Sequence, residues 1–283
     1  MHEIHTTLIP TGTLAGRLAD PLWLAVDCRF DLADPGAGVA AWRAGHIPGA
    51  IYADLERDLS APVTATTGRH PLPPVAALEE TFSRFGISAR TQVVAYDAGS
   101  GAFAARLWWL LRWLGHEPVA VLDGGFAAWT AERRPVSADT AMRAPARFTA
   151  RPCPEMLVET AAIPGALGRG ERLVDVRGAE RFRGEVEPLD AVAGHVPGAV
   201  NLPYLENLGT DGRFRDPPAL AALWQERVAV APGSAVVCMC GSGVTACQGL
   251  LALEAAGVRG GKLYAGSWSE WIRDPARPVA CGP

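Results

Sequence analysis

The chain has 283 residues, of which 49% are hydrophobic and 20% are charged, as in an ordinary globular protein. Its formal net charge of -4 at pH 7 gives no basic footprint for a nucleic acid, and no stretch approaches the ~18 consecutive apolar residues of a membrane span. We therefore expect neither a nucleic acid nor a membrane as a partner, and we expect one large domain or two small ones.

The N-terminus and the cysteines favour a reduced, cytoplasmic protein. Residues 1–7 lack the basic stretch and the following apolar run of a secretory signal. The six cysteines have irregular spacings, and a chain of this length can build a core without disulfide bonds. Cys238 and Cys240 form no Cys-x-x-Cys pair and have no histidine cluster nearby, so no structural zinc site is expected.

Short apolar runs alternate with helix-like stretches along both halves of the chain. The predicted strands are, in chain order, Leu22–Val26, Val93–Tyr96, Val119–Leu122, Leu173–Val176 and Ala235–Met239. The predicted helices are Ala102–Leu114 and Val244–Ala256, the second of which is stopped by Gly257. This alternation indicates an α/β fold with a parallel sheet covered by helices on both faces. Ligands in such folds bind where loops leave the carboxyl ends of the strands.

The chain contains one pattern twice. Asp27 and Asp175 each stand in an Asp-x-Arg motif after an apolar run, 148 residues apart. His46 and His195 each stand in a Gly-His-x-Pro-Gly-Ala motif, 149 residues apart. So long a period is not that of a solenoid, and it indicates two copies of one domain. The predicted division is an N-terminal domain over 1–135, a linker rich in Pro, Arg and Ala over 136–154, and a C-terminal domain over 155–283.

The repeated histidines and aspartates are interpreted as structural residues. His46 and His195 occupy the same turn in both copies, although only the second copy has a cysteine loop. Asp27 and Asp175 likewise follow the same predicted strand in both. We predict that the histidines stabilise the turns and that the aspartates tie the strand ends to neighbouring loops.

The loop that begins at Cys240 is the strongest candidate site. Residues 240–245 read Cys-Gly-Ser-Gly-Val-Thr and lie between a predicted strand and a predicted helix. Two glycines let the backbone turn successive N–H groups inward, and the helix adds its unpaired N-terminal N–H groups. A thiolate on Cys240 would be stabilised there, and the thiolate is the form that attacks sulfur electrophiles. The alternative is an inert, buried cysteine, which is our interpretation of the other five.

These residues resemble the rhodanese superfamily. The resemblance rests on Asp-x-Arg, on Gly-His-x-Pro-Gly-Ala and on a cysteine loop after Val236-Val237, and it runs through nearly the whole chain. Two such domains in tandem, with the cysteine only in the second, resemble the arrangement of thiosulfate and mercaptopyruvate sulfurtransferases. The loop Cys-Gly-Ser-Gly-Val-Thr-Ala is similar to that of the mercaptopyruvate branch, since thiosulfate enzymes carry basic residues just after the cysteine.

The resemblance implies two tandem rhodanese-like domains and a sulfurtransferase activity. Sulfane sulfur would pass from 3-mercaptopyruvate to a thiol or cyanide acceptor through a persulfide on Cys240, with thiosulfate as the alternative donor. Reduced thioredoxin is a candidate thiol acceptor. Neither a metal nor an organic cofactor is expected, because sulfur itself is the group carried. The N–H groups implied to hold the persulfide belong to Gly241, Gly243, Val244 and Thr245.

The resemblance also implies how the donor is held. An α-keto acid brings a carboxylate, for which an arginine fork is the expected anchor, and the family's substrate arginine matches Arg181. Mercaptopyruvate enzymes carry a second arginine directly after a Glu-Pro, but here Glu187-Pro188 is followed by Leu189. One contact of that branch is therefore missing, and Arg183 is a candidate to replace it.

A Ser-His-acid relay is implied as well. Ser242 matches the family's loop serine, and His70, in Gly-Arg-His-Pro-Leu-Pro, matches its histidine. The acidic position falls on Glu56 or Asp54. Such a histidine could orient Ser242, which would polarise the donor carbonyl or assist proton transfer. The alternative for His70 is a loop histidine without a catalytic role.

The first domain carries Asp97 where the second carries Cys240. A carboxylate cannot accept sulfane sulfur as a thiolate does, so the first domain is expected to be non-catalytic. Asp97 would instead cap the helix that begins near Gly101.

Two competing functions remain. A rhodanese-fold phosphatase needs a Cys-x5-Arg loop, but the sixth residue after Cys240 is Ala246, and the loop is too short for a tetrahedral oxyanion. A non-catalytic module that docks a partner protein suits a domain without the cysteine, which describes the first half of the chain but not the second.

Overall fold

A computed structural model describes residues 4–140, 143–230 and 235–283, which form two compact units. The first unit comprises Met1–Ala61, Pro73–Cys153 and Thr210–Arg213, and the second comprises Pro62–Leu72, Pro154–Gly209 and Phe214–Pro283. The segment Pro62–Leu72, which contains His70, thus belongs to the same unit as Cys240. Across the described ranges, the helices are too short or too polar for any to traverse a bilayer.

The first unit contains a five-stranded parallel sheet in the order β1-β5-β4-β2-β3. Its strands are β1 (Leu8–Ile9), β2 (Trp23–Asp27), β3 (Ile51–Tyr52), β4 (Gln92–Tyr96) and β5 (Val119–Leu122). Its helices are α1 (Thr11–Ala15), α2 (Pro35–Ala44), α3 (Val75–Arg84), α4 (Ala104–Trp113) and α5 (Gly125–Ala131). The two central strands, β2 and β4, pair over five residues each, and every residue of β4 is buried. Their apolar runs therefore form the core on which the helices pack.

The second unit contains a four-stranded parallel sheet in the order β7-β6-β8-β9. Its strands are β6 (Arg172–Asp175), β7 (Val200–Asn201), β8 (Val236–Met239) and β9 (Lys262–Leu263). Its α-helices are α6 (Ile163–Gly168), α7 (Ala179–Phe182), α8 (Pro217–Val228), α9 (Ala246–Ala255) and α10 (Ser267–Trp271). Three 3-10 helices span Pro154–Met156, Thr160–Ala162 and Tyr204–Asn207. The carboxyl ends of β6, β8 and β9 share one edge, which is where Cys240 lies.

The predicted fold class is confirmed, because both sheets are wholly parallel and alternate with helices. The bounds differ by one or two residues: the strand predicted at Leu22–Val26 is Trp23–Asp27, and the helix predicted at Val244–Ala256 is Ala246–Ala255. The predicted linker 136–154 includes residues 141–142, which lie outside the described residues. Within it, Ser137 pairs with His46 as an isolated bridge, and Cys153 ends the first unit.

The repeated motifs make the same contacts in both units. Arg29 binds the carboxylate of Asp27 at 2.6 Å and donates to the carbonyl of Gly45 at 2.7 Å. Arg177 binds Asp175 at 2.6 Å and donates to the carbonyl of Gly194 at 2.8 Å. Each pair ties the end of a central strand to the turn that carries the repeated histidine. A structural role for the motif explains its presence in both copies.

The repeated histidines are buried in those turns. Nδ1 of His46 lies 2.7 Å from the carbonyl oxygen of Trp42, and Nδ1 of His195 lies 2.7 Å from that of Phe182. Each imidazole also stacks on the ring of the same partner. The histidines therefore join each turn to the helix before it, as a turn-stabilising residue should.

Candidate active site

Cys240 directly follows β8 and begins a six-residue loop that leads into α9. Its thiol is almost fully buried, with 2% of the residue exposed, and Sγ accepts a hydrogen bond from the backbone N–H of Gly243 at 3.2 Å. Its own N–H donates to Oγ of Ser267 at 3.1 Å, and its carbonyl accepts from the N–H of Trp268 at 3.0 Å. The sulfur is thus held against an N–H donor while the backbone is fixed to α10.

Gly243 has the backbone conformation that this contact requires. Its φ of +76° is in the left-handed region, and a Cβ built on it would lie 2.3 Å from the carbonyl oxygen of Ala265. Any other residue would be strained and would clash, so the loop could not turn its N–H toward the sulfur. Thr245 then forms the N-cap of α9, whose dipole favours negative charge at this end of the loop. The loop can therefore stabilise an anionic sulfur.

Four residues are predicted to hold a persulfide, and one of them, Gly243, donates its N–H to Sγ. Val244 and Thr245 stay predictions as sulfur contacts. Gly241 has a different importance, because a Cβ built there would lie 2.8 Å from Nη2 of Arg69 and 3.6 Å from Nη2 of Arg181. Two guanidinium groups therefore lie directly beside the residue that follows the cysteine.

His70 and Ser242 are brought together. Nδ1 of His70 lies 2.7 Å from Oγ of Ser242, a hydrogen bond whose donor depends on the tautomer of the histidine. Both residues are buried, at 6% exposure each. A buried imidazole that contacts a hydroxyl two residues from a cysteine can orient that hydroxyl and exchange a proton with it. The sequence predicted the pair, and its catalytic role stays a prediction.

The segment that carries His70 is fastened to α10. The N–H of Arg69 donates to Oγ of Ser269 at 3.0 Å, and the N–H of Gly68 donates to Oε2 of Glu270 at 3.4 Å. Nε of Arg273 donates to the carbonyl of Thr67 at 3.1 Å. A Cβ on Gly68 would lie 2.7 Å from the carbonyl oxygen of Gly266, so this close approach requires a glycine. The histidine is thereby positioned by backbone contacts of the three residues that precede it.

The two candidate acidic partners of His70 lie in the first unit. Oδ1 of Asp54 accepts from the N–H groups of Glu56 and Arg57 at 3.0 and 2.9 Å, which closes a local turn. Glu56 is exposed. The pairing of either carboxylate with His70 stays a prediction.

Arg181 belongs to a chain of alternating charges. It contacts Oε1 of Glu187 at 2.6 Å and Oδ2 of Asp190 at 3.2 Å, and Glu187 also contacts Arg177 at 3.3 Å. Burial opposes the ionisation of Glu187, but hydrogen bonds from Arg181 and from two backbone N–H groups hold its pKa below the ordinary value. Asp190 continues the chain to Arg69, with which it forms an ion pair. The network fixes the guanidinium of Arg181 beside the loop.

Arg183, the candidate replacement for the missing arginine, is engaged elsewhere. Its Nε contacts Oε1 of Glu185 at 2.7 Å, and about half of the Glu185 side chain is exposed (54%). Arg69, by contrast, was not singled out from the sequence, yet its guanidinium is adjacent to Gly241. The only sequence signal was its position next to His70, combined with the neutral Leu189 where a cation was expected.

The first unit shows what occupies the loop when the cysteine is absent. Oδ1 of Asp97 accepts from the N–H groups of Gly99 and Gly101 at 2.9 and 3.0 Å, and Oδ2 accepts from those of Phe103 and Ala104 at 2.9 and 3.2 Å. The predicted capping of the following helix by Asp97 is confirmed. Asp97 directly follows β4, as Cys240 directly follows β8, so the carboxylate stands at the position in the chain that the thiol has in the second unit.

The buried cysteines Cys28 and Cys238 have a different environment. Burial raises the pKa of both thiols well above the ordinary value, and neighbouring negative charges raise it further. Neither thiol is expected to ionise near neutral pH, which makes both poor nucleophiles.

The similarity to known proteins covers nearly the whole chain. A family model for the rhodanese-like domain matches residues 11–132 and 161–274. A probable 3-mercaptopyruvate sulfurtransferase of Pseudomonas aeruginosa is 49% identical over 278 residues, covering 97% of this chain and 98% of the relative. A putative thiosulfate sulfurtransferase, SseB of Mycobacterium tuberculosis, is 41% identical over 281 residues and covers 97% of each chain. The crystal structure of SseA from Escherichia coli, described as a 3-mercaptopyruvate sulfotransferase, matches with a TM-score of 0.80 and 32% identity, covering 94% of this chain and 100% of that one.

Proposed function

The chain belongs to the rhodanese-like family, and from that membership we propose that it is a sulfurtransferase that carries sulfur as a persulfide on Cys240. The observation that carries the proposal is the surroundings of Cys240. Its Sγ accepts a hydrogen bond from the N–H of Gly243, and two guanidinium groups lie beside Gly241. A sulfur nucleophile, an anion-stabilising loop and an anchor for an anionic donor are thus adjacent. These are the parts that a two-step sulfur transfer needs.

In the first half-reaction the Cys240 thiolate attacks the sulfur of 3-mercaptopyruvate. A new S–S bond forms, the C–S bond of the donor breaks, and its electron pair leaves with the carbon as the enolate of pyruvate. The enolate takes up a proton and is released as pyruvate. Arg181 binds the donor carboxylate, and Ser242, oriented by His70, donates a hydrogen bond to the donor carbonyl as charge develops on its oxygen. No external oxidant is needed, because the sulfur moves as a neutral atom between two nucleophiles.

In the second half-reaction an acceptor removes the outer sulfur. A thiolate such as that of reduced thioredoxin, or cyanide, attacks the terminal sulfur of the persulfide. The S–S bond breaks, and its electrons return to Cys240 as a thiolate. The products are the acceptor persulfide or thiocyanate. The enzyme is then ready for another donor, which gives ping-pong kinetics.

The charge of the site favours a keto acid over thiosulfate. Three arginines (Arg69, Arg177 and Arg181) are balanced by three carboxylates (Asp175, Glu187 and Asp190) in one connected network. The loop residues 241–245 carry no basic side chain. A balanced site with directed N–H donors suits a singly charged carboxylate better than a dianion. The two curated relatives described above differ in the donor they are named for, so the donor is a proposal of its own.

We expect 3-mercaptopyruvate to be the better donor by at least about tenfold in kcat/KM, because one charged hydrogen bond changes transition-state binding by that order. The measurement is steady-state turnover with cyanide as acceptor, together with the intact mass of the protein after incubation with each donor. A gain of one sulfur atom's mass shows the persulfide. A preference for thiosulfate would reverse the donor assignment, and no mass gain with either donor would favour a protein-docking module.

The His70–Ser242 pair gives a separate prediction. We expect Ser242→Ala to lower kcat with 3-mercaptopyruvate by about 100-fold or more, the usual effect of removing a group that assists proton transfer. His70→Asn should give a similar loss, and the double variant should be little worse than either single one, because the two residues act as a unit. Losses that multiply in the double variant would show that the pair does not act together.

A further inference from the structure

Two guanidinium groups lie beside the loop that starts at Cys240, and one of them belongs to a residue that the family pattern does not supply. We infer that Arg69 is the second carboxylate-binding residue of the donor site, and that it takes the place of the arginine that Leu189 replaces. The inference rests on the proposed sulfurtransferase function and specifies its donor class: small α-keto acids whose carboxylate is bound by Arg69 and Arg181 together.

The first argument is the position of the two groups. A Cβ on Gly241 would lie 2.8 Å from Nη2 of Arg69, and 3.6 and 3.7 Å from Nη2 and Nη1 of Arg181. Both guanidinium groups therefore approach one point, next to the residue that bears the reactive sulfur. Their side chains are 27% and 21% exposed, so solvent and small ligands can reach both.

The second argument is that one carboxylate already spans the pair. Oδ1 of Asp190 contacts Nη1 of Arg69, and Oδ2 of the same residue contacts Nη2 of Arg181 at 3.2 Å. The spacing of the two arginines thus suits the two oxygens of a single carboxyl group. Each guanidinium has five N–H donors, so the contact with Asp190 leaves others for a donor molecule. Nη2 of Arg69 is the nitrogen nearest Gly241, and Asp190 is bound through Nη1.

The third argument is how firmly Arg69 is held. The hydroxyl of Ser269 accepts from the N–H of Arg69 at 3.0 Å, and the N–H of Ser269 donates to the carbonyl of Gly241 at 2.8 Å. One residue of α10 therefore fixes both the backbone of Arg69 and the cysteine loop. The ion pair with Asp190 holds its side chain as well, so Arg69 loses less conformational entropy when it binds a donor.

The other candidates for the missing contact are less suited to it. Leu189 is half exposed, at 47%, and has no charge. Arg183 contacts Glu185 through two nitrogens, at 2.7 and 2.8 Å. Arg69 is the cation that combines proximity to Gly241 with a direct link to Arg181 through Asp190.

The test measures carboxylate binding directly, so that it does not depend on turnover. Pyruvate, which keeps the carboxylate and carbonyl of the donor, and its uncharged counterpart pyruvamide are titrated into the full-length protein by calorimetry. The variants are Arg69→Leu, Arg69→Lys and, as the matched control, Arg183→Leu. Thermal unfolding of each variant verifies that it is folded, and Arg69→Lys keeps the positive charge if Arg69→Leu is unstable.

We expect Arg69→Leu to weaken pyruvate binding by about 10- to 100-fold and to leave pyruvamide binding within about twofold, because only pyruvate uses a charged hydrogen bond. Arg69→Lys should fall between Arg69→Leu and the unaltered protein, since an ammonium cannot form the planar fork. Arg183→Leu should bind pyruvate as the unaltered protein does. In turnover with 3-mercaptopyruvate, Arg69→Leu should raise KM by the same factor by which it weakens pyruvate binding, and kcat should stay within about threefold.

Equal pyruvate affinity in Arg69→Leu and the unaltered protein would overturn the inference, as would no pyruvate binding by the unaltered protein. Failure of the proposed function looks different: pyruvate binds in an Arg69-dependent way, but no persulfide forms with any donor. A loss in Arg183→Leu as large as that in Arg69→Leu would move the second contact to Arg183 and would also overturn the inference.

Discussion

Replacing Cys240 by alanine is expected to abolish sulfur transfer, with a fall in kcat of about 10⁴-fold or more, the scale on which loss of a nucleophile acts. Ser242 cannot replace Cys240 in the covalent step, because a hydroxyl does not store sulfane sulfur as a thiolate does. The Gly243 N–H would lose its sulfur acceptor, but the backbone bonds from Cys240 to Ser267 and Trp268 do not involve the side chain and would remain. Turnover with 3-mercaptopyruvate and cyanide measures the loss, and intact mass shows whether any persulfide forms.

The matched control is Cys238→Ala, two residues earlier in β8. This thiol is fully buried, and burial raises its pKa far above the working range, so its removal should leave kcat within about threefold. Protein stability should fall by about 1 kcal/mol from the small cavity. Persulfide formation that survives in Cys240→Ala, or disappears in Cys238→Ala, would contradict the assignment of the sulfur to Cys240.

The predictions that succeeded rest on patterns that one segment of chain decides by itself. The central strands β2, β4, β6 and β8 each contain a short apolar run, and such a run is stable only where both faces of a sheet are covered. The Cys240 loop followed from its two glycines and from the helix-like stretch after it. The repeat then placed Asp97 and Cys240 at equivalent positions, which the structure explains by placing both at the end of a central strand.

The edge strands could not be predicted in the same way. β1, β3, β7 and β9 have two residues each, too few for a periodic pattern to distinguish them from a loop. They pair because a neighbouring strand already offers unpaired backbone groups. These edge strands form because the neighbouring strand pairs with them, and their own sequences do not predict them.

The assignment of residues 62–72 to the second unit also depends on contacts that are remote in sequence. Arg69 and Ser269 are 200 positions apart, and no local pattern marks them as partners. The sequence predicted Arg181 as the anchor and offered Arg183, two positions later, as a second one. The structure places Arg181 beside the loop, whereas Arg183 follows the end of α7 and contacts Glu185 at the surface. Residue type alone could not show the direction of either side chain.

Asp97→Ala is expected to destabilise the first unit by about 3 kcal/mol, because it removes a charged acceptor from four backbone N–H groups at once. Two of these belong to Phe103 and Ala104 at the start of α4, where an α-helix has no acceptors of its own. The other two, on Gly99 and Gly101, would be left in a site that is only 2% exposed at Asp97, so water cannot easily replace the carboxylate. Asp97→Asn should cost about 2 kcal/mol, since its NH₂ group would face N–H donors.

Hydrogen exchange of the α4 amides, read by mass spectrometry, measures this effect in the first unit specifically. The free energy of opening there should fall in Asp97→Ala, whereas exchange in α9 of the second unit should change little. The matched control is Asp31→Ala, which removes an exposed carboxylate that accepts a single N–H bond, from Ala33 at 2.8 Å, and should change stability by less than about 0.5 kcal/mol. If Asp97→Ala leaves α4 exchange as slow as before, the four contacts are not stabilising, and the first unit's loop then keeps its shape without the carboxylate that fills it.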